Sequence, residues 1–385
     1  MLSKQFKQTL EKLFRPSLPI QMLHLLLSSD VLAIRGNRKA YPKVLQLPIT
    51  NRCNSRCVMC NIWTMDHSQE MSSDELSRFL KDPIFKDIRA VGINGGEPSL
   101  LKNLPEYTQS ILQLPKINSL NIISHGFNPD LLCLALRKIF AQCKKKGVRF
   151  HLSISLDGVG EKHDEIRGLK GVFARTFFSI KEIQNNRHLY CHSFDVACTV
   201  IKQNVDHLIA LDEFAKENHI DIKYRLGIKN KRIQSDLIVD RFSVLSGQEK
   251  QSAKEFFFRL FKTSRKLSDK FKYFSIFYFL NNTPTTRLLG CDWKEEGITL
   301  DAKGNLYYCA VASKSLGSLR EKDGKEIFLS NDHISYRKNL IIQNCDQCIH
   351  DYCGGPQLKD VLIFLKFVLF DKFYCSFYRI KELFS

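Results

Sequence analysis

Between residues 44 and 226, short apolar runs alternate with longer stretches whose apolar residues recur every three or four positions. The runs at 44–49, 90–94, 119–124, 149–156, 194–201 and 221–226 predict strands, and the stretches at 72–81, 104–114, 129–146, 173–184 and 205–217 predict helices. Asp74 and Glu75 near one helix start, and Lys144 to Lys146 at another helix end, suit the helix dipole. Strand–helix alternation sustained this long implies parallel βα units. There are six, fewer than the eight that close a full barrel. The expected fold class is α/β: a partial (β/α)6 TIM-like barrel followed by a small C-terminal cysteine-rich domain.

The pattern differs on either side of that core. Residues 1–43 form a basic, helical N-terminal extension, with Phe6, Leu10, Leu13 and Phe14 at helix spacing before Pro16 and Pro19. The barrel occupies 44–235, and 236–289 is a helical linker with one long helix over 248–270 and an aromatic-rich segment after it. Residues 290–375 carry six cysteines, short strand-like pieces and turn signals such as Asp301-Ala302-Lys303-Gly304-Asn305, and 376–385 is a tail. No internal repeat is present.

With 385 residues, 44% hydrophobic and 25% charged, the chain can bury a sizeable core, which excludes disordered and low-complexity classes. Its net charge of +18 suits an anionic partner, a membrane surface or a solvated basic exterior, the last being the default. No run approaches the roughly 20 apolar residues of a membrane span; the longest, 361–370, is interrupted by Lys366. Lys4, Lys7 and Glu11 do not introduce a secretory signal. The expected location is cytoplasmic, with peripheral contact to the inner face of the membrane open to 361–370, Phe373, Tyr374 and Phe377.

Thirteen cysteines in a reducing compartment point to metal binding. Cys53, Cys57 and Cys60 follow the first predicted strand, where barrel active sites are built. Three thiolates leave a metal position open, which suits chemistry, and soft sulfur selects iron–sulfur clusters, zinc or copper(I). The next strand ends carry Gly95-Gly96-Glu97-Pro98, then Ser124-His125-Gly126, then Ser153-Ile154-Ser155-Leu156-Asp157-Gly158, followed by His163-Asp164-Glu165-Ile166-Arg167-Gly168.

This order resembles the radical S-adenosylmethionine (radical SAM) superfamily, with Met59 where the family usually has an aromatic. The resemblance implies that Cys53, Cys57 and Cys60 hold a [4Fe–4S] cluster whose fourth iron chelates S-adenosylmethionine. It also implies that Gly95, Gly96, Glu97, Pro98, Ser124, Ser155, Asp157 and Arg167 bind that cofactor, with glycines letting the backbone approach closely. Reductive cleavage would then give a 5′-deoxyadenosyl radical that takes a hydrogen atom from a substrate carbon.

Behind such a core, Cys291, Cys309, Cys345, Cys348, Cys353 and Cys375 resemble SPASM and twitch extensions, which carry auxiliary [4Fe–4S] clusters. A twitch-like arrangement uses Cys291, Cys309, Cys345 and Cys348; a SPASM-like one groups Cys345, Cys348, Cys353 and Cys375. At least one auxiliary cluster is expected. Cys133, Cys143, Cys191 and Cys198 lie outside both sets. Cys198 shares a strand face with Phe194, Val196 and Val200, and is the candidate hydrogen-atom donor against the plainer role of a buried small residue.

The resemblance implies oxidation, dehydrogenation or epimerisation of a carbohydrate or other small biosynthetic intermediate, phosphorylated or lipid-linked in keeping with the basic charge. A peptide-modifying maturase is the alternative. The low-potential electron donor would be a flavodoxin or ferredoxin, and no nucleic acid is expected. A reading from another class is a zinc-ribbon nucleic-acid-binding protein, which accounts for the charge and for Cys345 and Cys348 but not for the ordered strand-end motifs.

Overall fold

The computed structural model describes residues 41–282, 287–350 and 356–370. The N-terminal extension before residue 41, Cys353, Cys375 and the tail lie outside the described residues. Six parallel strands follow one another in sequence and in space: β1 (Val44–Thr50), β2 (Ala90–Gly95), β3 (Ser119–Ser124), β4 (Arg149–Ser155), β5 (Ser193–Val200) and β6 (Ile222–Leu226). They are joined through α1 (Ser73–Phe79), α2 (Leu104–Ile111), α3 (Pro129–Lys146), α4 (Glu161–Arg167), α5 (Val172–Asn185) and α6 (Leu208–Glu217). The sheet stays open, with β6 at one edge.

Local chemistry explains the boundaries. Ser72 starts α1 with a reciprocal capping box to Glu75. Past Lys144 to Lys146, Gly147 ends α3 in the left-handed conformation at φ +68. Strand alternation sorts the two faces of the sheet. Leu45, Leu47, Ile93, Leu120, Ile122, Leu152, Ile154, Val196 and Val200 are buried in one apolar core with the surrounding helices. The opposite, inner face carries Gln46, Asn94, Asn121, His151, Ser153, Asp195, Lys223 and Arg225. A parallel sheet packed with apolar residues on both faces shows no such alternation, so this inner face is built to hold something polar.

One expectation changes. The helix over 248–270 is two helices, α7 (Gly247–Thr263) and α8 (Leu267–Asn281). Backbone at Ser264 and Lys266 is extended, and the Ser264 hydroxyl donates to the Leu260 carbonyl at 2.7 Å, closing α7. The fold-back lets Phe257 pack against Tyr273 and Phe258 against Phe277, side chains that a straight helix would leave in water. The aromatic-rich segment is thus the second arm of a hairpin.

The cysteine-rich region, in turn, extends the barrel's own sheet. Strand β7 (Gly297–Leu300) pairs in parallel with β1 on the side away from β2, and β8 (Asn305–Tyr307) and β9 (Gly317–Ser318) follow antiparallel, giving nine strands. Further links are Lys43 to Glu296 at 2.5 Å, Met71 N donating to Ala302 O at 2.7 Å, and Gly324 N donating to an Asp82 carboxylate oxygen at 2.6 Å. Helix α9 (Asn331–Asn344) follows, and α10 (Leu358–Phe370) lays Phe364 and Phe367 on the hairpin, each with a ring centroid 4.9 Å from a hairpin phenylalanine. Those two aromatics are therefore committed to the fold; Phe373, Tyr374 and Phe377 lie outside the described residues. Among the described residues no helix is long and apolar enough to cross a membrane.

Candidate active site

The loop leaving β1 carries Cys53, Cys57 and Cys60, all partly exposed. It is held from two directions. Glu70 accepts from Thr50 Oγ1 at 2.8 Å and from Asn51 N at 2.5 Å. On the other side the end of α4 pairs with the loop: Arg56 N donates to Arg167 O at 2.9 Å, Val58 N to Ile166 O at 3.0 Å, and Ser55 Oγ to Arg167 O at 3.0 Å.

Gly96 closes the fit from below. A Cβ there would lie 2.0 Å from Arg52 O, so only glycine lets the two backbones meet. Gly96 N and Glu97 N donate to Thr50 O at 2.6 Å and Arg52 O at 2.8 Å. Gly95 and Gly96 were expected to make room for a ligand; the close approach they make is to the cysteine loop itself.

Glu97 is buried, and its carboxylate accepts from Ser124 Oγ at 2.7 Å, His125 N at 2.9 Å and Ser99 N at 3.0 Å. Burial works against its charge, but His125 and those donors outweigh it and hold the carboxyl below the usual range. His125 Nδ1 accepts from Phe127 N at 3.0 Å, so the proton sits on Nε2 and is given to Asn54 Oδ1 at 2.7 Å. Burial pushes this imidazole down to about 4, with Arg167 adding to the effect and Glu97 opposing it. His125 is therefore neutral and ties the third strand's end to the cysteine loop.

Asp157 and Arg167 form a buried ion pair at 2.5 Å. Asp157 also accepts from Thr199 N at 2.8 Å, and Arg167 Nη1 donates to Cys57 Sγ at 3.6 Å. Burial opposes the guanidinium charge, yet Asp157 and Cys57 hold Arg167 protonated above its ordinary value. Arg167 thus acts through both its backbone and its side chain on the loop. Ser155 lies on the inner face, two residues after Ser153. Cys198 is fully buried and accepts from Asn204 Nδ2 at 3.7 Å; burial, with Asp157 nearby, keeps its thiol neutral.

Among the described residues no group of three histidine, cysteine or carboxylate side chains stands ready-made as a metal cage. The donor set nevertheless fits a sulfur-ligated cluster. Burial pushes Cys53 up to about 12, with Cys57, Glu97 and Cys60 contributing, and burial and Cys57 push Cys60 up to about 11. Such mutual opposition of neighbouring thiolates is what a bound metal reverses. Ser55 N points at Cys53 Sγ at 3.4 Å. Desolvation lowers the pKa of Arg232, in the loop after β6, while the charges of Cys60, Asp301 and Tyr307 oppose that shift.

In the C-terminal region Cys291, Cys309, Cys345 and Cys348 line a single cavity, with Trp293, Tyr308 and Arg337 in its wall. Burial raises Cys345 to about 11, with Cys291 and Cys309 adding to it. Ala312 N points at Cys309 Sγ at 3.4 Å. Arg287 fastens the cysteine-bearing segments: its guanidinium donates to Gly290 O at 2.8 Å, Cys348 O at 3.1 Å and His350 O at 2.8 Å, and its backbone N to Asp346 O at 2.8 Å.

The sequence reading did not single out Asn54, His125, Arg232 or Arg287 as site residues. His125 lay inside a quoted motif, where its position beside Ser124 was the available signal. The other three owe their roles to partners brought near only by folding.

An open parallel βα barrel with three cysteines at the first strand's end, backed by a Gly-Gly-Glu-Pro turn, defines a radical SAM core. The model of the Radical SAM superfamily matches residues 47–215, so this stretch of the chain is a radical SAM domain. Its cofactors are a [4Fe–4S] cluster and S-adenosylmethionine, which decides against the zinc-ribbon alternative.

GTP 3′,8-cyclase of Helicobacter pylori is 26% identical over 224 residues, covering 53% of this chain and 65% of that protein. The chain thus spans less than two thirds of the length of the curated cyclases it matches, 54% for the Campylobacter jejuni protein. Fe-coproporphyrin III synthase of Methanosarcina barkeri is 24% identical over 346 residues, covering 80% of this chain and 81% of its own. Among solved structures, anSMEcpe with bound AdoMet superposes with a TM-score of 0.57 at 14% identity, covering 89% of this chain and all of that one, which establishes likeness of fold.

Proposed function

We propose that this chain is a radical SAM oxidoreductase that oxidises a carbon centre of a small biosynthetic molecule, using an auxiliary [4Fe–4S] cluster held by Cys291, Cys309, Cys345 and Cys348. The observation that carries the proposal is the single cavity lined by those four thiols, with Gln46 of β1 in its wall. The strand that delivers Cys53, Cys57 and Cys60 at its end therefore also borders the second sulfur-lined cavity. This favours the twitch-like ligand set over the SPASM-like one.

When bound, the first cluster with S-adenosylmethionine supplies hydrogen-atom abstraction from an unactivated carbon, and the auxiliary cluster supplies a one-electron acceptor. The residues around them position and insulate. Cys53, Cys57 and Cys60 would hold the first cluster, with Arg167 donating to Cys57 and offsetting thiolate charge. Glu97, Ser124, Ser155, Asp157 and Arg167 line the strand ends on which the cofactor's ammonium, carboxylate and hydroxyl groups would bind. Gly95, Gly96 and Pro98 fix the second strand end beneath the loop, and a low-potential flavodoxin or ferredoxin would reduce the first cluster. Cys198 is walled in by the core, which supports oxidation over a mechanism that returns a hydrogen atom from that thiol. The peptide-modifying alternative draws on anSMEcpe, solved with a bound peptide.

Anaerobic reconstitution, iron analysis and chromatographic detection of 5′-deoxyadenosine after reduction test the proposal. The expected result is about eight irons per chain, two clusters of four, with deoxyadenosine formed. Stoichiometric zinc and no cleavage would overturn it.

A further inference from the structure

Read across the sheet in register, inner-face positions form one continuous row. Thr299 of β7 pairs with Gln46 of β1, Gln46 with Gly92 of β2, Gly92 with Asn121 of β3, and Asn121 with His151 of β4. Thr299 Oγ1, Gln46 Oε1 and Asn121 Oδ1 are buried without a hydrogen-bond partner, as is Asn94 Oδ1 two residues beyond Gly92. Buried polar atoms without partners cost free energy, and three in one row with a fourth beside it call for a guest that supplies them.

The row borders open space. A Cβ added at Gly92 meets nothing within 4 Å. At one end Gln46 enters the four-cysteine cavity. At the other, Asn121 and His151 enter an open cleft that Ser153, Asp195, Arg225 and Lys272 also line.

The lining is chemically divided. Asp195 lies 3.4 Å from His151 Nε2, and burial opposes its charge while hydrogen bonds with His151 and Ser153 hold the carboxyl below the usual range. It is an ionised acceptor beside neutral amides. On the β6 side, Lys223 is held by Asp221 at 3.0 Å and Asp269 at 3.4 Å, whereas no carboxylate pairs with Arg225 among the described residues. Acceptors and amides on one side suit hydroxyl groups; the guanidinium on the other suits an oxyanion.

We propose that this inner face is the substrate site and that it takes a phosphorylated monosaccharide or polyol, its hydroxyls along Gln46, Asn94, Asn121 and Asp195 and its phosphate at Arg225. The proposal rests on the radical SAM reading and names the substrate class for it. Holding the phosphate at a distance from the strand ends places binding energy on a part of the substrate that does not react. A purely apolar substrate would leave the row unpartnered.

Calorimetric titration of the reconstituted full chain, saturated with S-adenosylmethionine, tests this with glucose 6-phosphate and glucosamine 6-phosphate, and with glucose and inorganic phosphate as separate parts. At least one hexose phosphate should bind about tenfold more tightly than either part. Arg225→Gln should remove that advantage, and Gly92→Leu, which fills open space, should weaken hexose phosphate binding about tenfold; Asn121→Leu is the filling variant from a second strand. S-adenosylmethionine affinity, measured alongside, reports whether each variant is folded. Hexose phosphates that bind no better than phosphate, or affinity untouched in folded variants, would overturn the proposal. Deoxyadenosine formation by the wild-type chain without sugar tests the radical reading by itself, so the two failures are distinguishable.

Discussion

The two cysteine sites of this chain are built on opposite principles. At the first, three thiols sit on a loop surrounded by buried charge and polar groups: the Glu97 carboxylate, the neutral His125, and the Asp157–Arg167 pair that reaches Cys57. At the second, four thiols share a cavity walled by Trp293 and Tyr308, and one arginine, Arg287, ties their segments together through main-chain carbonyls. Three sulfur ligands leave a metal position free for a reacting molecule, and four close the shell. The charged shell belongs with the site that must recognise a zwitterionic cofactor, and the carbonyl staple with the site that only has to hold its cluster.

The sharpest way to separate the sites is to empty them in turn. Replacing Cys53, Cys57 and Cys60 together by alanine should abolish 5′-deoxyadenosine formation and remove about four irons, measured by chromatography and iron analysis. Cys345→Ala should likewise cost about four irons, yet deoxyadenosine formation should fall far less than substrate oxidation does. Equal loss of both activities would erase the distinction drawn between the sites.

Smaller changes probe the shells. Arg167→Ala leaves Asp157 buried without a counter-ion, and denaturant unfolding should show a loss of about 3–5 kcal/mol, with Arg167→Lys intermediate. Arg287→Met strips donors from four carbonyls, those of Leu289, Gly290, Cys348 and His350, and should cost about 1–3 kcal/mol, with iron loss confined to the second site. His125 gives the gentlest test. Its imidazole is depressed from 6.5 to about 4, so the unfolded chain takes up the proton more readily. Stability should be fully present above pH 6.5 and drain away as the pH falls toward 4, and His125→Asn should flatten that part of the curve in urea unfolding.

Much of the first site was legible in the sequence because its residues stand at the ends of successive strands, so order along the chain reproduces order around the barrel. Cys53, Glu97, Ser124 and Asp157 are of this kind. What stayed hidden depends on encounters between distant segments. The reason for Gly96 is the Arg52 carbonyl beneath it, and Asn54 matters because His125 reaches it across 71 positions. Arg287 sits in a stretch with no motif, and its partners lie about sixty residues away. The helical hairpin was missed because the three-residue break falls in a polar run, Lys262 to Lys266, with no glycine or proline to mark it. Alternation along single strands could be read from the sequence, but the polar row needed the register between them.

The parallel pairing of β1 with β7 bears on how the protein is made. During synthesis β1 finds β2 within about fifty residues, but its other flank waits until residue 300 has emerged. Until then the strand that leads into the cysteine loop presents a free hydrogen-bonding edge, the kind of surface on which nascent chains stick to one another. A version ending near residue 235 would carry that exposed flank permanently and should precipitate, although every cysteine of the first site would be present. A strand translated after all six barrel strands is thus what completes β1.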